Sequence, residues 1–339
     1  MTDLVAAIDC GTNSIRLYVA RVTPTGLEPV DRRLFITRLG QGVDATGRLA
    51  PAALERTFAA LDDFAAQLAR LGGARTRVIA TSAARDASNS AEFFDGVLAR
   101  VGVPAEIITG REEAALSYAG AVAAFATVRP PVLVMDIGGG STELAFGGAK
   151  SADVLAPDPA QVAAPGASGP DAARVQGTQS PSTQSPPTVA VSLDMGSVRL
   201  RERYLANDPP APGQIAEARD FVDDLLDGSG VPFADVQTWI GVGGTATNLA
   251  ALALGQQTYD ADAVQGAVIT RSTLDALTTR LLSMPVAEVA ALPTMVPGRA
   301  DVICAGALIC SAVGARVGKD LRASEADLLD GIAAQLASG

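Results

Sequence analysis

Along most of this chain, short runs of consecutive apolar residues alternate with segments whose apolar residues recur every three or four positions. The runs, bounded by glycine and small polar breakers, predict buried strands. The spaced segments predict amphipathic helices, and their alternation predicts an α/β architecture. Leu4 to Ile8, Ile15 to Val22 and Leu34 to Leu39 read as strands, with Gly26 and Gly40-Gln41-Gly42 as turns. Pro51 opens a helix that carries Leu54, Phe58, Leu61, Phe64, Leu68 and Leu71 on one face, and Gly72-Gly73 ends it. Val78 to Ala80 is a strand, Ala91 to Val101 a helix, Ala105 to Ile108 a strand, and a helix runs from Thr109 to Ala124. Further on, Val189 to Leu193 and Val236 to Ile240 are strands. Val198 to Tyr204, Gln214 to Leu226, Leu274 to Leu282, Asp301 to Gly314 and a stretch from Glu325 are helices.

The stretch VLVMDIGGGSTELAF, Val132 to Phe146, organises this pattern. It predicts a strand, a tight turn and a second strand. Without a Cβ, Gly138, Gly139 and Gly140 let backbone N–H groups approach an anion, while Asp136 and Glu143 are placed to hold a hydrated cation. Taken alone, the same letters also describe a hairpin with a glycine bulge. A second copy changes the balance. Asp9-Cys10-Gly11-Thr12-Asn13-Ser14-Ile15-Arg16-Leu17 follows the first apolar run, and its aspartate, first glycine, serine and leucine superpose on those of Asp136 to Leu144, with Arg16 opposite Glu143. Two D-x-G-x-x-S turns in a duplicated fold predict one phosphate ligand gripped from both sides.

Composition narrows the chemistry. The 339 residues suit two domains, and with 48% hydrophobic residues there is material for substantial cores. No basic leader precedes the first apolar stretch and no apolar run reaches membrane-spanning length, so a cytoplasmic protein without a membrane partner is expected. Cys10, Cys304 and Cys310 lack metal-site spacing and read as reduced thiols. The net charge of −11 argues against nucleic acid as a partner. The sequence has no histidine. That excludes Ser-His-Asp triads, histidine zinc sites and phosphohistidine steps, and leaves acid–base work to carboxylates, Lys, Tyr or water. Arg85, after the strand at Val78, stands at a helix entrance where it is either a surface charge or an anion contact. Glu112 and Glu113 lie in the first turn of a helix, where acidic residues complement the dipole. Gly241 to Asn248 is a strand–glycine turn–helix junction, suited to phosphate or to close packing. Ser151 to Pro187, rich in Pro, Ala, Gln, Ser and Thr and without aromatic residues, reads as a disordered insertion.

Together these segments resemble the exopolyphosphatase/guanosine pentaphosphate phosphohydrolase (Ppx/GppA) family, short two-domain type. The matching stretches are AAIDCGTNSIRL, RLGQGVDATGRL, ATSAARDA, IITGREEA, DIGGGSTEL, SLDMGSVRLRERYL, PGRADVI and SEADLLDGI, in that order along the chain. The resemblance implies two actin-like (ribonuclease-H-like) α/β domains, residues 1–127 and 128–339, with the active site in the cleft between them. The C-terminal helix is expected to pack back on the first domain. It also implies that Glu113, the second glutamate of G-x-E-E-A, is the base that deprotonates the attacking water. Asp136 and Glu143, helped by Asp9, are implied near a divalent cation such as Mg²⁺. Thr12, Asn13, Ser14, Arg16, Arg85, Gly138, Gly139, Gly140 and Ser141 are implied as phosphate contacts, and a homodimer is implied as the assembly.

The expected activity is that of an exopolyphosphatase, releasing orthophosphate from inorganic polyphosphate. The same machinery serves a guanosine pentaphosphate (pppGpp) 5′-phosphohydrolase. A sugar-kinase reading is opposed by G-x-E-E-A and by the lack of a sugar-binding segment. A non-catalytic phosphate or alarmone sensor is opposed by the presence of Glu113 and both acidic turn residues.

Overall fold

The computed structural model describes residues 3–148 and 186–339. The expected disordered insertion therefore falls almost wholly outside the described residues. In chain order the first half comprises β1 (Leu4–Cys10), β2 (Ser14–Thr23), β3 (Gly26–Ile36), α1 (Val43–Thr46), α2 (Pro51–Arg70), β4 (Arg75–Ala80), α3 (Ser82–Asp86), α4 (Ser90–Val101), β5 (Ala105–Ile107) and α5 (Gly110–Ala123). Then come β6 (Val132–Ile137), β7 (Thr142–Gly147), β8 (Val189–Leu193), α6 (Ser197–Tyr204), α7 (Pro212–Asp227), β9 (Thr238–Val242), α8 (Gly243–Ala253) and α9 (Ala261–Val264). The chain closes with β10 (Val268–Ile269), α10 (Arg271–Ser283), α11 (Val286–Ala290), α12 (Ile303–Val317), β11 (Leu321–Ala323) and α13 (Leu328–Ser338).

These strands form two sheets, ordered β3-β2-β1-β4-β5 and β8-β7-β6-β9-β11-β10. In each, an antiparallel three-stranded meander is extended by parallel strands, β4 and β5 in the first and β9 and β11 in the second. The order repeats strand for strand, with β10 added at one edge. This is the duplication that the paired turns predict, in the actin-like α/β architecture that the family resemblance implies.

Why β1 is apolar from Leu4 to Ile8 is now clear. Leu4, Ala6 and Ile8 point to the core that also holds Leu54, Leu61 and Phe64 of α2 and Phe93 and Val97 of α4. Val5 and Ala7 point the other way, towards Leu328, Leu329 and Ile332 of α13. A strand covered on both faces has no polar alternation to show. β6 behaves alike: Leu133, Met135 and Ile137 face the large core shared with α8, α10 and α12, while Val132 and Val134 face Ala114, Tyr118 and Ala121 of α5. The two halves thus exchange helices. α5 covers the second sheet, and α13, from the chain's end, covers the first.

The exchanged helices cross closely. A Cβ on Gly120 would lie 2.0 Å from the Asp327 carbonyl oxygen, and one on Gly331 would lie 2.2 Å from that of Leu116. Neither backbone can yield without moving a helix. Gly331→Ala is therefore expected to destabilise the fold by about 1–3 kcal/mol, the usual cost of overpacking, read as a lower denaturant midpoint at unchanged m-value.

β3 differs from expectation. It begins at Gly26, not Leu34, and ends at Ile36. Its first residues are mostly exposed and include Glu28, Pro29, Asp31, Arg32 and Arg33, the chemistry of an edge strand rather than a buried one. A bulge at Val19/Ala20 shifts the register, so that Val19 pairs with Asp31 and Ala20 with Pro29. The shift breaks the two-residue period that would have marked the strand.

Candidate active site

The two D-x-G-x-x-S turns have the same internal geometry. Gly11 N donates to Ser14 O at 3.0 Å, and Gly138 N donates to Ser141 O at 3.0 Å. Asp9 pairs across its hairpin with Arg16, as Asp136 pairs with Glu143. In both turns the carbonyls are satisfied from behind. Thr12 O accepts from Gly40 N at 2.8 Å, and Asn13 O accepts from the amides of Thr37 and Arg38 at 3.1 and 2.9 Å. Gly138 O accepts from Ser197 N at 2.9 Å, and Gly139 O from Val198 N and Arg199 N at 2.9 and 3.0 Å. Among the described residues the amides of Thr12, Asn13, Gly139 and Ser141 have no backbone acceptor. They line one cleft together with Ser14 and Gly138. Amides left free in a concave turn form an anion site.

The turns also touch each other. A Cβ on Gly139 would lie 2.9 Å from Thr12 Cβ, so only glycine admits this approach. Ser82, at the start of α3, ties in from the side, 2.8 Å from the Thr12 hydroxyl.

Carboxylates gather on the floor of this cleft. Asp9, Glu113 and Asp136 line it. Glu113 lies in the first turn of α5, but the helix end is capped by Thr109, whose hydroxyl accepts from Glu112 N at 3.1 Å. The Glu112 carboxylate instead accepts from Arg77 at 3.0 Å. Glu113 is buried, and its Oε2 has no hydrogen-bond partner among the described residues. Burial, and next the charge of Glu143, push its pKa well above the usual carboxylate range. Asp136 Oδ2 accepts from Ser117 Oγ at 2.9 Å, and burial raises this carboxyl to about 6. Glu143 accepts from Ser192 Oγ at 2.7 Å, and burial, then the Asp136 charge, raise it to about 8.

Other expected contacts sit elsewhere. Gly140 backs the cleft, where a Cβ would meet Ser82 Oγ at 2.4 Å. Arg85 reaches the Ile108 carbonyl at 3.4 Å and does not line the cleft, and Glu143 lies beneath it. Arg16 does line it, but its guanidinium is engaged: Nη2 donates to Asp9 at 2.8 Å, and Nη1 donates to Asp327, the N-cap of α13.

The oxygen-only donor set suits a hard divalent cation, and the buried Asp9 Oδ1, without a hydrogen-bond partner among the described residues, is an acceptor that fits one. Among the described residues no three acidic, histidine or cysteine side chains converge as a ready-made cage. Such a cation would be held by Asp9 and Asp136, with Glu143 behind them, its remaining positions left to water and phosphate oxygens, as is usual for Mg²⁺.

The metal-free protein should record this crowding. Asp136 and Glu143 hold their protons to about pH 6 and 8, against ordinary values of 3.8 and 4.5, so between these limits the native state binds more protons than the unfolded chain. Their contribution is full below about pH 4 and is lost as pH rises to about 8, at most about 1.4 kcal/mol per pH unit while one group titrates. Melting in chelator is expected to fall from pH 5.5 to 8.5, and added Mg²⁺ should flatten the fall; a melt that rises over that range contradicts the carboxylate cluster.

Four side chains in or beside the cleft escaped the sequence reading. Ser117 was traceable, since it lies one helical turn beyond Glu113. Ser192 was not, because only the tertiary fold brings it to Glu143. Asp327 belongs to a matched motif, but its grip on Arg16 bridges the two ends of the chain. Arg299 is the most informative. It is 8% exposed, lines the cleft, donates Nη1 to Gly244 O at 3.1 Å, and has no carboxylate partner among the described residues. The glycines that open α8 serve this arrangement. A Cβ on Gly243 would meet Asp136 Oδ1 at 2.6 Å, and one on Gly244 would meet the Arg299 guanidinium at 2.3 Å.

Comparison with known proteins places the whole chain among known relatives. The chain is 41% identical over 349 aligned residues to exopolyphosphatase 2 of Mycobacterium tuberculosis, covering 98% of each. A crystal structure described as an exopolyphosphatase-like protein matches with TM-score 0.85 at 38% identity over 99% of both chains. The Ppx-GppA enzyme of Aquifex aeolicus matches with TM-score 0.73 at 29% identity, again over 99% of both. The model of the Ppx/GppA phosphatase family matches residues 18–158 and 179–326. Two like turns facing one carboxylate-floored cleft, and this end-to-end similarity, lead to one conclusion: the chain belongs to the Ppx/GppA phosphatase family.

Proposed function

We propose that this protein is an exopolyphosphatase that removes the terminal phosphate of inorganic polyphosphate. The observation that carries the reading is Glu113, a buried carboxylate with an unpartnered oxygen, in the same cleft as two amide-lined turns. The terminal phosphoryl group sits between the turns, where the amides of Thr12, Asn13, Gly139 and Ser141 donate to its non-bridging oxygens. Glu113 accepts a proton from the water that attacks phosphorus. As the new P–O bond forms, the bridging P–O bond breaks, and the shortened chain departs with the bridging oxygen. No covalent intermediate is needed, so the work of the protein is positioning and charge stabilisation. A bound divalent cation supplies charge neutralisation on the phosphate oxygens. Because burial and Glu143 keep Glu113 protonated above the ordinary range, kcat/KM rises with pH as this proton is lost.

A second reading has its own observation. Beyond Arg299 a cavity of about 250 Å³ opens, lined in part by Leu34, Asn248, Tyr259 and Val296. Its other arginines, Arg16, Arg32 and Arg33, are already paired: Arg16 with Asp9 and Asp327, Arg32 with Asp330, and Arg33 with Asp31 and Asp63. Such walls suit a nucleoside better than a long polyanion, which favours pppGpp as the alternative substrate of the same phosphoryl site. The test is orthophosphate release, with Mg²⁺, from short polyphosphate, long polyphosphate, pppGpp and ATP. Release from polyphosphate is expected. Release from pppGpp alone installs the second reading, and release from none removes both in favour of a sensor.

A further inference from the structure

We propose that Arg199 is a positioning residue that sets the separation of the two phosphate-binding turns, acting from behind the cleft without touching substrate; this rests on the reading of those turns as the phosphoryl site. Its backbone N–H already holds Gly139 O. Its side chain, 13% exposed, reaches three different segments. Nε donates to Gly140 O at 2.8 Å, Nη1 donates to Asp44 Oδ1 at 3.0 Å, and Nη2 donates to Asp86 Oδ2 at 2.8 Å.

The identity of the two aspartates gives these bonds their consequence. Asp44 lies in α1, directly after the segment whose amides, at Thr37, Arg38 and Gly40, hold the carbonyls of the first turn. Asp86 ends α3, whose Ser82 meets the Thr12 hydroxyl at 2.8 Å. One guanidinium therefore grips the second turn directly and the supports of the first turn at two points. Arg203 adds a further hold on Asp44. Both aspartates belong to the half of the chain built on the first sheet, and Arg199 to the half built on the second. The clamp thus spans the cleft at its rear.

Only the planar fork of arginine fits this task. A lysine ammonium can reach one or two of the acceptors but cannot hold all of them in fixed directions. The position does not line the main cleft, so a loss of turnover on its substitution would act through the turns. Displacing reacting groups by about 1 Å is enough to cost on the order of 10²-fold in rate.

The test uses the full chain with Arg199→Lys and Arg199→Ala, assayed for orthophosphate release from short polyphosphate, for melting, and for binding of orthophosphate by ³¹P line broadening. Expected are a fall in kcat of about 10- to 100-fold in both variants, weaker orthophosphate binding, and a melt high enough for the protein to be folded at assay temperature. Millimolar methylguanidinium should restore several-fold of the lost kcat to Arg199→Ala, while NaCl at equal ionic strength should not. If Arg199→Ala does not fold, Arg199→Lys, which keeps the charge, decides the matter through kcat and orthophosphate binding. A kcat within twofold of wild type, or a loss explained by the unfolded fraction and indifferent to methylguanidinium, overturns the proposal. Should the wild-type protein release nothing from polyphosphate, the proposed substrate fails on its own. Orthophosphate binding still judges Arg199: equal binding by wild type and Arg199→Lys overturns the clamp.

Discussion

Glu113→Gln is expected to lower kcat for phosphate release by about 10²–10⁴-fold, the range that a positioned general base contributes, while the protein stays folded. The substitution keeps the shape of the side chain and removes only its ability to take a proton. It should not weaken the fold, because Glu113 is buried beside Glu143, Asp9 and Asp136, each of which raises its pKa by repulsion after burial itself. A neutral amide relieves that repulsion, so the melting temperature should match or exceed that of the wild type in chelator. Initial rates over a range of pH and a melt on the same sample suffice as the check. The pH-dependent rise of kcat/KM should vanish with the carboxylate. Turnover near the wild-type level would remove Glu113 as the base, and a collapsed melt would mean that its role is structural.

Arg299→Met should separate stability from binding. Arg299 carries a buried charge with no carboxylate partner among the described residues, and burial, then the neighbouring charge of Arg16, lower its pKa to about 10. Evolution rarely leaves such a charge uncompensated unless a ligand completes the pair. Replacing it by an apolar side chain of similar length removes a desolvation cost, so the ligand-free protein should melt higher. If a substrate phosphate completes the pair, the substrate would lose a charge-assisted hydrogen bond worth about 1.5–3 kcal/mol, or roughly 10- to 100-fold in KM. A lower melt with unchanged KM would show that Arg299 is a packing residue, contrary to this account. The neighbouring Gly244, whose Cβ would lie 2.3 Å from the guanidinium, gives a second handle: Gly244→Ala should raise KM in the same direction by displacing the arginine.

Much of this site was legible in the letters of the chain. The two copies of D-x-G-x-x-S announced the duplication, and both turns fold with the same 3.0 Å hydrogen bond. The pattern is readable because a turn that needs free amides and close approach admits few residues besides glycine and small polar ones. The edge strand β3 was only half legible, since its alternation is broken by a bulge and by charges facing water. Arg16 was only partly legible, although it does line the cleft. The family resemblance implied a phosphate contact there, and its guanidinium is engaged by Asp9 and by Asp327, whose position near the far end of the chain no local pattern reveals.

The sequence by itself determined the layer pattern, the paired turns, the absence of histidine chemistry and the presence of a carboxylate at the head of α5. Each of these is a local property, set by periodicity, by glycine's missing side chain or by plain residue inventory. Only the tertiary structure decided which carboxylates are crowded, and that of the two arginines lining the cleft Arg16 is neutralised while Arg299 has no carboxylate partner among the described residues. Those are sums over neighbours distant in sequence. Helix exchange between the halves sets Glu113 beside Asp9 and Asp136, and burial there raises their pKa values. In water the same residues would be ordinary acids.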